Sequence, residues 1–365
     1  MHLKQEPSCC TNSLFISPQL PFGLQPIQSE PTQQAMKKLI PFFTLIFAFN
    51  LFAAPKGQLT YETPEAAAKD PDFVIQGEYT GEGVDGSGTN HQLGLQIVAL
   101  GEGTFQATAF QGGLPGAGWD GQTKWVYSGK RKGKTKATFA NDESPIALHY
   151  NNGKVIAAKG DQQVGTFARM IRKSDTIGAK APKGSKVLFA GKDNGSLDKL
   201  QVTKDGMMKE GAITKDKFQS FKLHVEFRLP FKPTARGQAR GNSGLYLQRR
   251  YELQVLDSFG IEMTPGKNDC GCLYKQKYPD VNACFPPLTW QTYDVDFTAA
   301  KFDDAGKRTA PARITARLNG ILIHDDYALK NKTGAGQKEG AAPGPIWFQN
   351  HSNPVRYRNV WIQEK

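Results

Sequence analysis

The sequence predicts an all-β protein with a jelly-roll sandwich in its C-terminal half and a small β domain before it. Every second residue is apolar from Phe221 to Leu229, which is the period of a half-buried strand. Asn319-Gly320 stands between two further apolar runs, a type I′ hairpin signature. The 38 glycines and 22 prolines suit many turns, and no long amphipathic helix stands out. Short strands joined by such turns are typical of antiparallel sandwiches and jelly rolls.

The first domain is predicted over residues 57–172, and the jelly roll over 187–365. Pro64–Lys69 is expected to form one or two helical turns. A polar, lysine-rich linker is expected at 173–186. Short apolar runs predict the strands of the first domain: Phe73–Gln76, Leu93–Ile97, Thr104–Ala107, Trp125–Tyr127, Ile146–Leu148 and Val155–Ala157.

The order of charge and hydropathy near the N-terminus indicates export. Lys37 and Lys38 precede the apolar run Leu39–Phe52, and two alanines follow, which is the order of a secretory signal. We predict a signal peptide at 36–54, a non-native extension at 1–35, and a periplasmic or extracellular location. We expect no stable membrane span after signal removal, because the apolar run is short.

The chain carries a formal net charge of +12. Its densest basic run lacks interleaved aromatic residues, so we predict a solvated basic loop and no nucleic-acid partner. The run comprises Lys130, Arg131, Lys132, Lys134 and Lys136.

Three cysteines, Cys270, Cys272 and Cys284, follow the predicted extension, which holds Cys9 and Cys10. Because export leads to an oxidising compartment, a disulfide from Cys284 to either of the other two is expected. A three-thiolate metal site is the weaker alternative, since no histidine lies nearby at a zinc-type spacing.

Two neighbouring strands present polar side chains on one face. The turn Arg240–Gly244 leads into a strand, and Tyr251–Asp257 follows. By strand alternation, Glu252 and Gln254 share one face, opposite an apolar face formed by Tyr251, Leu253 and Val255.

The C-terminal strands repeat this arrangement. Trp347, Gln349 and His351 are expected to share a face. Further on, Arg356 and Arg358 are expected on the side opposite Tyr357 and Trp361.

A concave sheet with such side chains suits a sugar, whose hydroxyls need convergent donors and acceptors and whose C–H faces stack on aromatic rings. Glu252 or His351 could move a proton. The alternatives are a solvent-facing glutamate and a structural histidine.

At these segments the chain resembles the bacterial family called domain of unknown function 1080, described as 3-keto-glucoside lyases, hydratases or 3-keto-disaccharide hydrolases. The resemblance spans about 187–365. It rests on Leu188–Asp198, Arg240–Gly244, Tyr251–Asp257, Gly271–Tyr274, Trp290, Asn319-Gly320, Gln349–His351 and Val355–Val360.

The resemblance implies a concanavalin A-like jelly roll acting on a glycoside or oligosaccharide already oxidised at C3. An upstream C3-oxidising dehydrogenase would then supply the substrate. The C3 ketone acidifies the hydrogen on C2, so a base can remove it and the enolate can expel the group at C1. Water can add to the product, giving net hydrolysis. A non-catalytic glycan-binding module on the same fold is the alternative.

The resemblance also implies roles for individual residues. Glu252 and His351 would be the base or the ligands of a divalent metal ion, and Arg240 or Arg358 would face oxyanion charge. The remaining residues would bind substrate or support the site: Asn242, Gln254, Asp257, Tyr274, Trp347 and Gln349. The family commonly has an aspartate before the histidine, where this chain has Asn350.

Overall fold

The computed structural model describes residues 59–84, 87–264, 266 and 268–365. The predicted extension, the predicted signal peptide, Cys9 and Cys10 lie outside the described residues. The helices are α1 (Pro64–Ala67), α2 (Pro71–Ile75) and a 3₁₀ turn (Gly237–Ala239). The strands of the first half are β1 (Gly77–Val84), β2 (Asn90–Gly101), β3 (Thr104–Gln111), β4 (Lys124–Lys132), β5 (Lys136–Ala140), β6 (Ile146–Asn151), β7 (Lys154–Lys159) and β8 (Gln162–Met170).

The second half contains β9 (Lys186–Phe189), β10 (Leu197–Asp198), β11 (Met208–Lys209), β12 (Ile213–Thr214), β13 (Phe221–Arg228), β14 (Ser243–Leu247), β15 (Tyr251–Val255), β16 (Trp290–Thr298), β17 (Lys301–Phe302), β18 (Arg308–Ala310), β19 (Arg313–Leu318), β20 (Ile321–Ala328), β21 (Trp347–Phe348) and β22 (Arg356–Glu364). The predicted all-β fold class is confirmed.

The strands β1 to β8 form a closed antiparallel barrel. Each pairs with the next along the chain, and β8 pairs with β1 to close the ring. Aromatic side chains fill part of the interior, with Tyr79 against Tyr150 and Phe105 against Phe139 in edge-on contacts. The predicted small β domain is therefore a barrel.

The predicted strand at Phe73–Gln76 is wrong, because Phe73 to Ile75 belong to helix α2 and Gln76 is its C-cap. The Asp70 carboxylate accepts a hydrogen bond from the Asp72 amide, and Pro71 occupies the first helical position. A capping aspartate followed by proline initiates a helix. The expected turn after Thr63 is observed as α1, with the Thr63 hydroxyl as its cap.

The predicted basic loop is mostly strand. Lys130, Arg131 and Lys132 end β4, and Lys136 begins β5. The Arg131 guanidinium donates to the Asp72 carboxylate over 2.7 Å. This part of the run therefore ties the barrel wall to helix α2.

The second half is a sandwich of two antiparallel sheets. One has the strand order β10-β12-β21-β14-β15, and the other has the order β11-β22-β13-β16-β19-β20, with β9 added to β22. Apolar side chains from both sheets share one buried core, among them Leu245 and Leu253 from the first and Val225 and Tyr357 from the second. This architecture is consistent with a jelly roll, and the concanavalin A-like topology stays a prediction.

The predicted type I′ hairpin joins β19 to β20. Leu318 pairs with Ile321, and both turn residues have positive φ, 56° for Asn319 and 81° for Gly320. The hairpin prediction is confirmed. Asparagine and glycine are the residues that most readily adopt the positive φ that this turn requires.

The barrel and the sandwich belong to one compact unit. The Tyr61 amide donates to the Phe231 carbonyl over 2.9 Å, and Phe231 packs into the barrel core. The Arg236 guanidinium reaches back to the Leu100 carbonyl over 2.6 Å. Among the described residues, no helix has the length and hydropathy needed to cross a membrane.

Residues 173–185 connect the two parts without helix or strand and are anchored on the sandwich. The Ser174 hydroxyl is hydrogen bonded to that of Thr292 over 2.6 Å. The Gly178 amide donates to the Glu226 carboxylate over 2.6 Å.

The expected disulfide is not formed. Cys270, Cys272 and Cys284 are buried, and no disulfide joins any two of them. The Cys270 sulfur lies 3.3 Å from the Tyr293 hydroxyl, inside the sandwich core. These side chains therefore serve as small core residues.

Candidate active site

A polar cavity of about 230 Å³ opens on the outer face of the smaller sheet, over β14 and β15. It brings together six of the residues predicted for the site: Asn242, Glu252, Gln254, Tyr274, Gln349 and His351. Six other residues complete its lining: Gln238, Tyr246, Lys275, Thr333, Gly334 and Ala335.

Strand alternation in β15 produces this arrangement. Tyr251, Leu253 and Val255 lie in the core, so Glu252 and Gln254 face the cavity. The predicted faces of this strand are confirmed.

Glu252 lies at the floor of the cavity, only 4% exposed. The Tyr246 hydroxyl donates to its Oε2 over 2.7 Å. Burial raises the pKa of Glu252 to about 7, and the hydrogen bond from Tyr246 opposes that shift. A carboxyl group with a pKa near neutrality can both accept and return a proton.

A glycine leaves the space that the Glu252 carboxylate occupies. A Cβ at Gly244 would lie 2.4 Å from Glu252 Oε1 and 3.0 Å from Gln349 Oε1. Both oxygens therefore converge over the bare backbone of β14. Replacement by alanine would displace one or both of them.

Side-chain amides line the wall beside Glu252. Gln254 Nε2 donates to Asn242 Oδ1 over 2.8 Å, and Asn242 Nδ2 donates to Gln238 Oε1 over 2.9 Å. The oxygens Gln254 Oε1 and Gln349 Oε1 are buried without a hydrogen-bond partner. Because an unpaired buried acceptor is costly, these two oxygens suit hydroxyl groups of a ligand.

The rim is more exposed than the floor. His351 and Lys275 are exposed, and the Lys275 ammonium lies 5.7 Å from the centre of the Tyr274 ring. Asn350, at the family's usual aspartate position, accepts a hydrogen bond from the Ser352 amide through Oδ1. It does not line the cavity.

Four residues predicted for the site lie outside the cavity lining. Arg240 and Asp257 form a buried ion pair of 2.7 Å. Trp347 packs on Tyr246, with their rings 4.8 Å apart.

Arg358, the fourth, is in the other sheet. It donates to the Glu226 carboxylate over 2.7 Å and lies over the Trp290 ring. Because these contacts hold Arg358 away from the cavity, we assign it no role in the chemistry there.

Sequence reasoning missed Tyr246, Gln238, Lys275 and Thr333. Tyr246 could have been found, because it pairs directly with Glu252 across the β14–β15 hairpin. The other three reach the cavity from turns and long loops, for which no local pattern exists.

The donor set does not fit a protein-built metal site. Among the described residues, no group of three or more histidine, cysteine or acidic side chains could hold an ion. The cavity offers one carboxylate, Glu252, and one imidazole, His351, whereas divalent-metal sites of the zinc type have three or more protein ligands. The steps proposed below therefore use protein groups alone, and a metal ion stays a prediction.

Comparison with protein-family models identifies one family. The model of the 3-keto-alpha-glucoside-1,2-lyase-like domain matches residues 179–363. No curated protein matches.

Two solved structures from Parabacteroides distasonis ATCC 8503, both named "putative glycosyl hydrolase", are each similar to about half of the chain. The first is 32% identical, covers 51% of this chain and 85% of its own, and has a TM-score of 0.47. The second is 19% identical, covers 50% and 99%, and has a TM-score of 0.35.

The matched residues contain the strands of the sandwich, except for Glu364 at the end of β22, and all the residues that line the cavity. The chain thus belongs to the 3-keto-alpha-glucoside-1,2-lyase-like family and is a carbohydrate-processing enzyme by that membership.

Proposed function

We propose that the cavity over β14 and β15 cleaves glucosides that carry a ketone at C3, by removal of the C2 proton and elimination at C1. One observation carries this proposal: a buried carboxyl group, Glu252, at the floor of a polar cavity whose neighbouring amide oxygens are unpaired. Export to the periplasm or outside the cell belongs to the same proposal.

Glu252 acts first, as the base. Its ionised carboxylate takes the proton from C2, and the electron pair of the C–H bond forms the enolate of the C3 ketone. The Tyr246 hydroxyl holds Oε2, so Oε1, above Gly244, faces the substrate. The raised pKa makes Glu252 a stronger base than an exposed glutamate, while part of it is still ionised at neutral pH.

The second step breaks the bond between C1 and the aglycone oxygen. The enolate re-forms the ketone, a double bond joins C1 to C2, and the leaving oxygen takes a proton from His351 at the rim. Addition of water across that double bond completes a net hydrolysis. The Lys275 side chain lines the cavity, and its ammonium group stabilises the negative charge of the enolate.

The amide wall binds the sugar. Gln254 Oε1 and Gln349 Oε1 accept from ring hydroxyls, and Tyr274 offers a ring face to the C–H groups. A single glycosyl unit is a reasonable match for a cavity of about 230 Å³.

Aglycone release tests the proposal. The purified protein is incubated with a 3-keto-glucoside and with its unoxidised parent, each with and without EDTA. Release from the keto form alone is expected, with a loss of at least a hundredfold in Glu252→Gln. Glu143→Gln, at an exposed glutamate of the barrel, is the matched control and is expected to retain activity.

Release from both glycosides would contradict the elimination chemistry. Binding of the keto-glucoside without release would instead identify a non-catalytic glycan-binding module. Loss of activity in EDTA would show a required metal ion.

A further inference from the structure

The barrel is hollow at one end. A cup of about 510 Å³ opens where β1 and β3 end and where β2, β4, β6 and β8 begin. Its lining is mainly apolar and is drawn from seven strands and the adjoining loops.

Residue size along the strands produces the cup. At the filled end, Tyr79, Phe105, Phe139 and Tyr150 occupy the interior. At the open end, the inward positions on three strands hold small residues, Gly83, Ala109 and Ala157. Three larger side chains form a buried floor beneath the opening: Tyr127, Leu148 and Phe167.

The walls leave apolar surface open to water. Val84 and Trp125 are 42% and 37% exposed, and Leu93, Ile146 and Val164 are partly exposed. Apolar side chains gathered in a concavity of this kind mark a ligand site more often than a gap in packing.

The polar groups of the cup are few, and they include the Gln111 amide, the His91 ring and the Ser144 hydroxyl. The Gln111 amide is hydrogen bonded to His91 Nδ1 over 2.9 Å, and Tyr127 is hydrogen bonded to Ser144. Among the residues that the structure describes, no lysine, arginine, aspartate or glutamate lines it. A charged ligand would therefore enter without a counter-charge, at a high desolvation cost.

We propose that this cup binds a neutral, largely apolar molecule of one or a few rings, such as an aromatic alcohol or ketone. The rings would stack beside Trp125 and pack on Leu148 and Phe167, while His91 or Ser144 would meet the polar group. An eight-stranded barrel is wide enough inside for one such ligand. The proposal is independent of the chemistry assigned to the cavity of the sandwich.

The test uses the full chain and the neutral dye N-phenyl-naphthylamine, whose fluorescence rises in apolar surroundings. We expect saturable binding with one site per chain. The sulfonated analogue anilinonaphthalenesulfonate, which has the same rings and a negative charge, is expected to bind at least tenfold more weakly.

Filling the cup should abolish the binding. Ala157→Phe places a ring inside the cup and is expected to weaken dye affinity at least tenfold. Ala168→Phe, the same substitution at an exposed position on β8, is the matched control and is expected to bind as the native chain does. Ala109→Phe, on β3, provides a second filled variant if circular dichroism shows that the first is unfolded.

Energy transfer locates the dye. Excitation of tryptophan should sensitise the bound dye less in Trp125→Phe than in Trp361→Phe, whose indole lies in the sandwich on His224. Unchanged affinity in both filled variants, tighter binding of the sulfonate, or no saturable binding would overturn the proposal.

Discussion

Glu252 is buried, and within the described part of the chain only the Tyr246 hydroxyl donates a hydrogen bond to its carboxylate. Its face and its neighbour Gln254 could be predicted, because alternation in a strand fixes which side chains are buried together. Its pKa could not, since that depends on the depth of the cavity and on Tyr246 across the hairpin. Arg358 was predicted to face oxyanion charge because of its residue type. The structure instead holds it in the other sheet, where it pairs with Glu226.

Removal of the Tyr246 hydroxyl is expected to shift the pH dependence of catalysis. The base must be ionised, so the rising acidic limb of the kcat/KM profile should have its midpoint at the pKa of Glu252, about 7. Tyr246→Phe removes a hydrogen bond that lowers this pKa, so the midpoint should move to higher pH. Tyr278→Phe, at an exposed tyrosine, should leave the midpoint in place. A midpoint that stays or falls in Tyr246→Phe would contradict this assignment.

Glu252 should also make folding stability depend on pH. Its pKa is raised in the folded state, so between about 4.5 and 7 the unfolded chain ionises while the folded protein does not. The contribution of Glu252 to the free energy of unfolding is therefore fully present below about pH 4.5 and is lost as the pH rises through 7. Glu252→Gln should therefore gain up to about 3 kcal/mol over the native chain at pH 8 and nothing at pH 4. Urea unfolding at both values measures this, and an equal difference at both would refute the prediction.

At the scale of elements, β22 departs from simple alternation. Two residues, Asn359 and Val360, oppose Val225 alone, and Asn359 has a φ of 44°. This bulge reverses the faces beyond it. Tyr357 is buried in the core, but Trp361 stacks on His224 outside it, so the predicted shared face of the two aromatics is wrong. The hairpin at Asn319-Gly320 was predictable because its signal is local, whereas a bulge depends on the partner strand.

The bulge conformation predicts a difference between two substitutions at Asn359. Both Asn359→Gly and Asn359→Val lose the side-chain hydrogen bonds to Glu226 and to the Ala179 carbonyl. Only valine is also strained at positive φ, so it should cost about 1–3 kcal/mol more. Chemical denaturation of the two variants measures the difference, and equal stabilities would contradict the assigned backbone conformation.

At the scale of the whole molecule, buried polar contacts join the barrel to the sandwich. No pattern in the sequence predicts these contacts. Arg240 pairs with Asp257 and also donates to the Ala99 carbonyl of the barrel over 3.3 Å. The alternation of each half predicted its β class. The join could not be predicted, because it depends on single residues far apart in the chain.

Breaking this ion pair should be strongly non-additive. Arg240→Leu leaves the Asp257 carboxylate buried without its partner, which is expected to cost about 3–5 kcal/mol. The double variant Arg240→Leu/Asp257→Leu should cost less than Arg240→Leu alone, because no uncompensated charge remains. Urea unfolding of the native chain, the two single variants and the double variant measures the coupling free energy. A double variant whose loss of stability equals the sum of the losses in the single variants would argue against direct coupling.

The measurement that tests the central claim most directly is the fate of the hydrogen at C2. A 3-keto-glucoside deuterated at C2 is compared with the protonated substrate, in the native protein and in Glu252→Gln. The account predicts slower aglycone release from the deuterated substrate, loss of the deuterium from the product, and neither reaction in Glu252→Gln. Release with no isotope effect and with deuterium retained at C2 would contradict it.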